Sequence, residues 1–233
     1  SLYWLIKKKK KANDYNRIKS MSGSKAPQNL QIETKAIHGG SIKDEQFGSL
    51  ATPLYQTSTF TFENAQQGAN RFAGEEQGYI YSRLGNPTTT QLEQTVASLE
   101  GTEAAAATAT GMGAVSAALL ANLSAGDHLI SSKAVYGCSF ALMSHMLTKF
   151  GIEVTFVDMT EPENITKAIQ PNTKVVFLET PINPNLVVLD LETIGNITKK
   201  HNLISIVDNT FLTPYLQKPA QFGFDPVSYT HLR

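Results

Sequence analysis

Apolar and polar positions from residue 86 onward alternate between two spacings, one typical of strands and one typical of helices. Short apolar runs predict strands over residues 104–110, 128–132, 153–158, 174–180 and 203–209. Helical spacing predicts helices over residues 86–101, 114–123, 138–151, 163–169 and 190–202. Strands that alternate with helices in this way form βαβ units. The pattern therefore predicts an α/β fold, with a mostly parallel sheet and helices on both faces.

The first of these helices has clear start signals. Asn86 is placed to cap it, Pro87 falls in its first turn, and Leu92, Val96 and Leu99 share one apolar stripe. We expect a surface helix that opens the large domain, residues 86–233.

The chain before residue 86 has a different composition. Residues 21–85 are rich in Gly, Pro, Thr and aromatic side chains without clear helical spacing, which predicts an extended N-terminal arm. Residues 1–20 hold seven basic groups and one acid, and include five consecutive lysines. We interpret them as a non-native or disordered extension outside the fold, with Met21 as the natural start; a basic address tag is the alternative.

Charge and cysteine content narrow the function classes. Without the extension, residues 21–233 hold 13 basic and 19 acidic groups, a net charge of −6, so nothing indicates nucleic acid or anionic lipid as a partner. The single cysteine, Cys138, excludes a disulfide framework and a cysteine-based metal site, and suits the cytoplasm. No stretch approaches the roughly 20 apolar residues that would predict a membrane span.

Polar groups follow three of the predicted strands. The turn Thr110-Gly111-Met112-Gly113 leads into a helix, Asn183 lies between two prolines, and Asp208 follows an apolar run. Ligands bind outside the carboxyl ends of parallel strands, and the start of a helix suits a phosphate. Taken singly, the glycine turn also fits simple packing, Asn183 an ordinary loop, and Asp208 a turn cap.

The segments "GYIYSRLGNPTTTQLE", "ATGMGA", "VYGCSFA", "FLETPINP" and "VDNTF" occur in this order. Together they resemble the Cys/Met-metabolism enzymes that use pyridoxal 5′-phosphate. The resemblance runs from about residue 35 to 225, and five ordered motifs make it specific. It implies the aspartate-aminotransferase-like fold, that of the type I pyridoxal-phosphate-dependent transferases.

The resemblance also implies roles for residues around the cofactor phosphate. Gly111 and Met112 would donate backbone N–H groups to it. Tyr81 and Arg83 would reach the same phosphate from a neighbouring subunit, the guanidinium through a charge-assisted contact. The active site would then be shared between subunits of a homodimer or homotetramer.

Three further residues are implied at the cofactor ring. Tyr136 would stack on the pyridine ring, Asn183 would bond near its phenolic oxygen, and Asp208 would keep its nitrogen protonated. An adjacent carboxylate raises the pKa of a ring nitrogen, and a protonated ring is the better electron sink.

The end of the sequence departs from the family pattern. In the family the Schiff-base lysine follows the Asp motif by about two dozen residues, whereas no lysine follows Lys218 here, and Lys218 lies upstream of the expected place. The C-terminal small domain, with the arginine for the substrate carboxylate, is also missing. We expect a fragment of a longer enzyme that is inactive alone, with the last six or so residues foreign.

Cys138, two residues after Tyr136, bears on the substrate. The segment "VYGCSFA" is similar to methionine γ-lyases, which implies γ-elimination of L-methionine to methanethiol, 2-oxobutanoate and ammonia. The alternatives in the family are O-acetylhomoserine sulfhydrylase and cystathionine γ-lyase or γ-synthase. Tyr136 would then be the acid for the leaving group and Cys138 would border its pocket, unless Cys138 is only a small buried residue.

Two other function classes are alternatives for this sequence. A nicotinamide-binding oxidoreductase would use the glycine turn, but "GMGAVS" lacks the third glycine, and Ser131-Ser132 stand where an acid for the ribose is expected. A non-catalytic remnant or assembly protein is the stronger competitor for this chain, because it lacks the cofactor lysine.

Overall fold

The structure of the chain, a computed structural model, describes residues 2–6 (backbone only), 30–42, 44–225 and 227–229. The lysine run, the predicted start at Met21 and the last four residues lie outside this range. The described strands are β1 Leu2–Ile6, β2 Ala104–Thr108, β3 His128–Ser132, β4 Glu153–Val157, β5 Thr173–Glu179, β6 Ile204–Asp208 and β7 Val227–Ser228. The described α-helices are α1 Ile32–His38, α2 Ala65–Ala73, α3 Pro87–Glu100, α4 Gly111–Leu120, α5 Gly137–Ala141, α6 Glu163–Ala168, α7 Leu191–Lys200 and α8 Thr213–Leu216.

The described strands form one sheet in the order β2-β1-β7-β6-β5-β3-β4. Strands β4, β3, β5, β6 and β7 pair in parallel, and β1 runs antiparallel to both β2 and β7. Since β2 and β7 both oppose β1, they run in the same direction, and β1 is the one reversed strand among those described. The α/β class and the mostly parallel sheet are confirmed.

Two compact units make up the described chain. One comprises β1 and the residues from Glu100 onward, and the other comprises the described residues up to Leu99. Most of α3 therefore groups with the N-terminal segment, whereas the sequence pattern assigned it to the large domain.

The N-terminal strand, Leu2–Ile6, lies within residues 1–20, which the sequence pattern predicts to be outside the fold. Its backbone pairs with β2 from Leu2↔Thr108 to Ile6↔Ala104, and with β7 at Trp4↔Ser228. A five-residue apolar run is long enough for an ordinary strand, and β2 and β7 each offer it unpaired backbone groups.

The sheet unit buries a continuous apolar core. Helix α4 lies against β1, β2 and β7, and its inner face meets the strands and the helical segment 142–150. The buried core residues are Val115, Ala118, Leu119, Leu123, Leu129, Val135, Met143, Leu147, Ile152, Val175, Phe177 and Ile206.

Local differences from the predicted elements have identifiable causes. Helix α4 begins at Gly111, three residues earlier than expected, because the Thr110 side chain accepts a hydrogen bond from the N–H of Gly113 and caps the first turn. The predicted helix at 138–151 is α5 followed by a π segment, Leu142–Met146, and a 3₁₀ segment, Leu147–Phe150. The predicted arm contains the short helices α1 and α2.

Candidate functional site at the carboxyl edge of the sheet

Helix α4 starts at the carboxyl edge of the sheet, directly after β2. Gly111 and Met112 occupy its first two positions, where N–H groups have no acceptor inside the helix. Thr110 takes up the next N–H, that of Gly113, at 3.0 Å. The cap thus leaves the backbone donors of Gly111 and Met112 for another acceptor, which fits a phosphate.

The start of α5 lies beside the start of α4. The Ser139 hydroxyl contacts the Met112 sulfur at 3.8 Å. Tyr136 immediately precedes α5 and is partly exposed. The structure therefore brings the stacking candidate Tyr136 near the phosphate candidates.

Cys138 lies in the first turn of α5 and is exposed. The alternative that Cys138 is only a small buried residue of the core therefore does not hold for this chain. A hydrogen bond with the Cys138 side chain, together with its charge, raises the pKa of the Tyr136 phenol. The phenol thus stays protonated at neutral pH, which is the state that a general acid needs.

Asn183 belongs to the loop that follows β5 and is half-buried. Its backbone N–H donates to Oε1 of Glu179 at 3.1 Å. This bond ties the loop back to the end of β5, so Asn183 is held at the carboxyl edge.

Asp208 is the last residue of β6 and only 2% of its surface is exposed. Its Oδ1 accepts from the N–H of Thr210 at 3.0 Å and from the Thr210 hydroxyl at 2.5 Å. Burial raises the pKa of Asp208 to about 6, and the two Thr210 bonds oppose that rise. Asp208 therefore caps the turn through Thr210. Its carboxyl group is also buried and largely ionised at pH 7, which fits a partner such as a cationic ring nitrogen.

Glu179 is a site residue that the sequence reasoning missed. It ends β5 opposite Asp208 in the β5–β6 register and is 5% exposed. Its Oε2 accepts from the N–H of Tyr136 at 2.5 Å, and its Oε1 binds the loop after β5. The sequence contains a pattern that could have identified Glu179, because Glu179, like Asp208, is an acidic residue at the end of an apolar strand.

Tyr81 and Arg83 lie in the N-terminal unit. The Arg83 guanidinium stands 5.4 Å from the centre of the Tyr81 ring. Their segment is held by Ser82, whose N–H donates to the carbonyl of Ser58 at 2.8 Å, and Tyr81 is 38% exposed. Their predicted contact with a phosphate in another subunit stays a prediction.

A further buried carboxyl, Glu100, ends α3 and is 1% exposed. Among the described residues neither of its oxygens has a partner in hydrogen-bonding geometry. Burial raises the pKa of Glu100 to about 8, while Lys218 and the Asn209 side chain favour the ionised form more weakly.

The described residues contain no group of three or more His, Cys, Asp or Glu side chains placed to hold a metal ion. None of the described helices has the length and apolar character that crossing a membrane requires.

Comparison with known proteins identifies relatives along most of the chain. The sequence profile described as "Cys/Met metabolism PLP-dependent enzyme" matches residues 33–231. An L-methionine γ-lyase from Fusobacterium nucleatum subsp. polymorphum is 56% identical over 200 residues, which are 85% of this chain and 50% of that protein. An L-methionine γ-lyase from Treponema denticola is 51% identical over 203 residues, which are 86% and 50%.

A solved Campylobacter jejuni protein superposes with a TM-score of 0.82 at 40% identity, over 87% of this chain and 50% of that one. That structure contains N′-pyridoxyl-lysine-5′-monophosphate. The likeness confirms the predicted fold class. The chain spans about half the length of the relatives it matches.

Proposed function

The chain belongs to the Cys/Met-metabolism family of pyridoxal-phosphate-dependent enzymes, and we propose that its complete gene product is a carbon–sulfur lyase acting on L-methionine. The products would be methanethiol, 2-oxobutanoate and ammonia. The observation that carries this choice is identity at more than half of the aligned positions with two methionine γ-lyases. The scarcity of cysteine supports a cytoplasmic location.

The phosphate end of the cofactor would be held by backbone and side-chain donors. Gly111 and Met112 supply N–H groups at the start of α4, where the positive end of the helix favours an anion. Tyr81 and Arg83 of a second subunit supply a phenol and a guanidinium, so the site is complete only in a homodimer or larger oligomer.

The ring end would be held by residues beyond β3, β5 and β6. Pyridoxal phosphate, when bound, supplies an electron sink for cleavage at the amino-acid carbons. Asp208, which is buried, would keep a proton on the ring nitrogen. Tyr136 would stack on the ring and supply a phenolic proton for the leaving thiolate, and Asn183 would bond near the ring hydroxyl.

Cys138 would shape the pocket for the sulfur substituent and not act as a nucleophile. Replacing it with Gly in the complete protein should change the relative kcat/KM for methionine and cystathionine by about 10- to 200-fold, as pocket-volume changes do. Tyr136→Phe should cost roughly 100-fold on every γ-substrate. Equal losses on all substrates from both changes would place Cys138 in the chemical step.

The activity is tested with the complete gene product and three substrate sets. Methionine should yield 2-oxobutanoate faster than cystathionine does, and O-acetylhomoserine with sulfide should be the slowest. No 2-oxobutanoate from methionine, together with rapid sulfide addition, would instead favour a sulfhydrylase.

The shared site is tested by subunit mixing. An Arg83→Ala subunit and an Asp208→Asn subunit should both be inactive alone, and their hybrids should recover activity because one site regains all its parts. Hybrids as inactive as both parents would mean that Arg83 acts within its own subunit.

A further inference from the structure

Glu179 joins two loops that leave different strands. One carboxylate oxygen accepts the N–H of Tyr136, beyond β3, at 2.5 Å, and the other accepts the N–H of Asn183, beyond β5, at 3.1 Å. Strand β5 lies between β3 and β6 in the sheet. A single side chain thus links the predicted stacking residue to the predicted amide.

The third ring-end residue is its neighbour. Glu179 stands opposite Asp208 in the register of β5 and β6, and the N–H of Thr180 donates to the Asp208 carbonyl at 3.3 Å. The side chain is therefore placed at the centre of the ring end of the candidate site.

An ionised carboxylate holds both loops best. It accepts on both oxygens, whereas an amide turns a donor toward the second N–H, and a protonated carboxyl keeps one strong acceptor and a hydroxyl oxygen that accepts more weakly. A donor that faces another donor loses the bond and leaves a buried N–H unpaired. We call the two hydrogen bonds that Glu179 accepts from the N–H groups of Tyr136 and Asn183 the tether. The strength of the tether therefore depends on the charge of the Glu179 carboxyl group.

We propose that Glu179 is a positioning residue of this site, whose carboxylate fixes the backbones of Tyr136 and Asn183 beside Asp208 and does so most firmly while it is ionised. Its importance for catalysis rests on the function proposed above. The tether itself requires neither cofactor nor substrate.

Several influences set the pKa of the Glu179 carboxyl group. Burial is the largest of them and raises this pKa to about 7. The charge of Asp208 raises the pKa further, whereas the hydrogen bonds from the N–H groups of Tyr136 and Asn183 lower it. The Tyr136 phenol also interacts electrostatically with Glu179. The tether should therefore weaken as the pH falls through about 7.

The test follows two backbone amides in this chain by ¹⁵N NMR without added ligand. Selective ¹⁵N-tyrosine labelling gives 8 tyrosine amides, and Tyr136→Phe identifies the Tyr136 signal by its loss. A second sample labelled at asparagine reports Asn183, which is identified with Asn183→Ser. Between pH 5 and 9 both amides should shift with one common midpoint near 7.

Variants separate the tether from general effects. Glu179→Gln should abolish the common midpoint and speed hydrogen exchange at one or both amides about tenfold or more, since a lost hydrogen bond is worth roughly that factor. Asp158→Asn, which removes an exposed carboxyl whose described hydrogen bonds go to Thr160 of its own turn, should leave the common midpoint of both signals in place. Glu179→Asp keeps the charge with a shorter reach, and should preserve the titration at no more than one amide.

The proposal is overturned if the wild-type amides titrate with different midpoints, which needs no variant to observe. It is also overturned if Glu179→Gln folds and keeps both the midpoint and the protection. Because the measurement uses no cofactor, its failure leaves the proposed lyase activity untouched. Absence of lyase activity in the complete protein would equally leave this result standing.

Discussion

Asp158 and Asp208 occupy the same local sequence, Val-Asp-x-Thr, at the ends of the parallel strands β4 and β6. In both, one oxygen accepts the N–H of the threonine two residues later at 3.0 Å, and its hydroxyl at 2.6 Å for Asp158 and 2.5 Å for Asp208. The pKa of Asp158 is nevertheless lowered, chiefly by Thr160, whereas that of Asp208 is raised to about 6 by burial.

The position of each strand in the sheet explains the difference. Strand β4 is an edge strand, so Asp158 is exposed, while β6 lies between β5 and β7 and buries Asp208. Identical turn chemistry thus gives an ordinary cap at one place and a functional candidate at the other. Depth in the sheet, and not the local motif, decides the properties of the carboxyl group.

If burial decides the pKa of a carboxyl group, Glu100 should have the largest effect on the pH dependence of folding stability, because among the described residues no threonine caps its carboxyl oxygens. Its folded pKa of about 8 exceeds the ordinary 4.5, so the folded state loses stability as pH rises from about 4.5 to 8. This should cost roughly 3 to 5 kcal/mol, because a tenfold change in acidity corresponds to about 1.4 kcal/mol. Urea unfolding of Glu100→Gln at pH 5 and 9 should show most of that loss abolished.

The matched control for this change is Glu103→Gln, at an exposed glutamate three residues further on. Its pH dependence of stability should equal that of the wild-type chain. If Glu100→Gln behaves like this control, burial does not set the charge of Glu100.

Asp208→Asn should change the pH dependence of folding stability in the same direction as Glu100→Gln, but by a smaller amount. The folded pKa of about 6 lies above the ordinary 3.8, so wild-type stability falls between pH 4 and 7, by roughly 3 kcal/mol. The variant retains an oxygen for Thr210 but not the charge, and should lack this fall in urea unfolding. An unchanged pH dependence would mean that Asp208 is solvated in solution.

Catalysis should separate the two aspartates in the complete protein. Asp208→Asn should lower kcat on methionine roughly 100-fold or more, the usual cost of removing one preorganised electrostatic group. Asp158→Asn should lower kcat far less, because the Asp158 carboxylate is exposed and its described hydrogen bonds go to Thr160 of its own turn. Equal losses from the two variants would remove the distinction drawn between the two strand ends.

The smallest effect, with the opposite sign, is expected for the stability of Asp158→Asn. The folded pKa of Asp158 is depressed, so its stabilisation is present above the ordinary value of 3.8 and is lost as pH falls through the folded value. The variant should unfold at slightly lower urea than wild type at pH 7, and the gap should narrow as the pH falls below 3.8. A gain in stability at pH 7 would contradict this sign.

The predicted strands and most helices were recovered because their signals are local. Strand β4 was expected at 153–158 and spans Glu153–Val157, and α7 was expected at 190–202 and spans Leu191–Lys200. The start of α4 was missed because a glycine turn and a capped helix start look alike in sequence. The short helices α1 and α2 were missed because their segments carry little apolar periodicity.

The sequence by itself determined the alternation of elements, the order of the motifs and the residue types that come after each strand. These features depend on the spacing of residues along the chain, which the sequence states directly. Only the tertiary structure decided that Glu179 faces Asp208, that it binds the backbones of Tyr136 and Asn183, and that Asp208 is buried while Asp158 is not. Strand order brings together Tyr136 and Glu179, which lie 43 positions apart, and sets the depth of each carboxyl, and no local pattern encodes either.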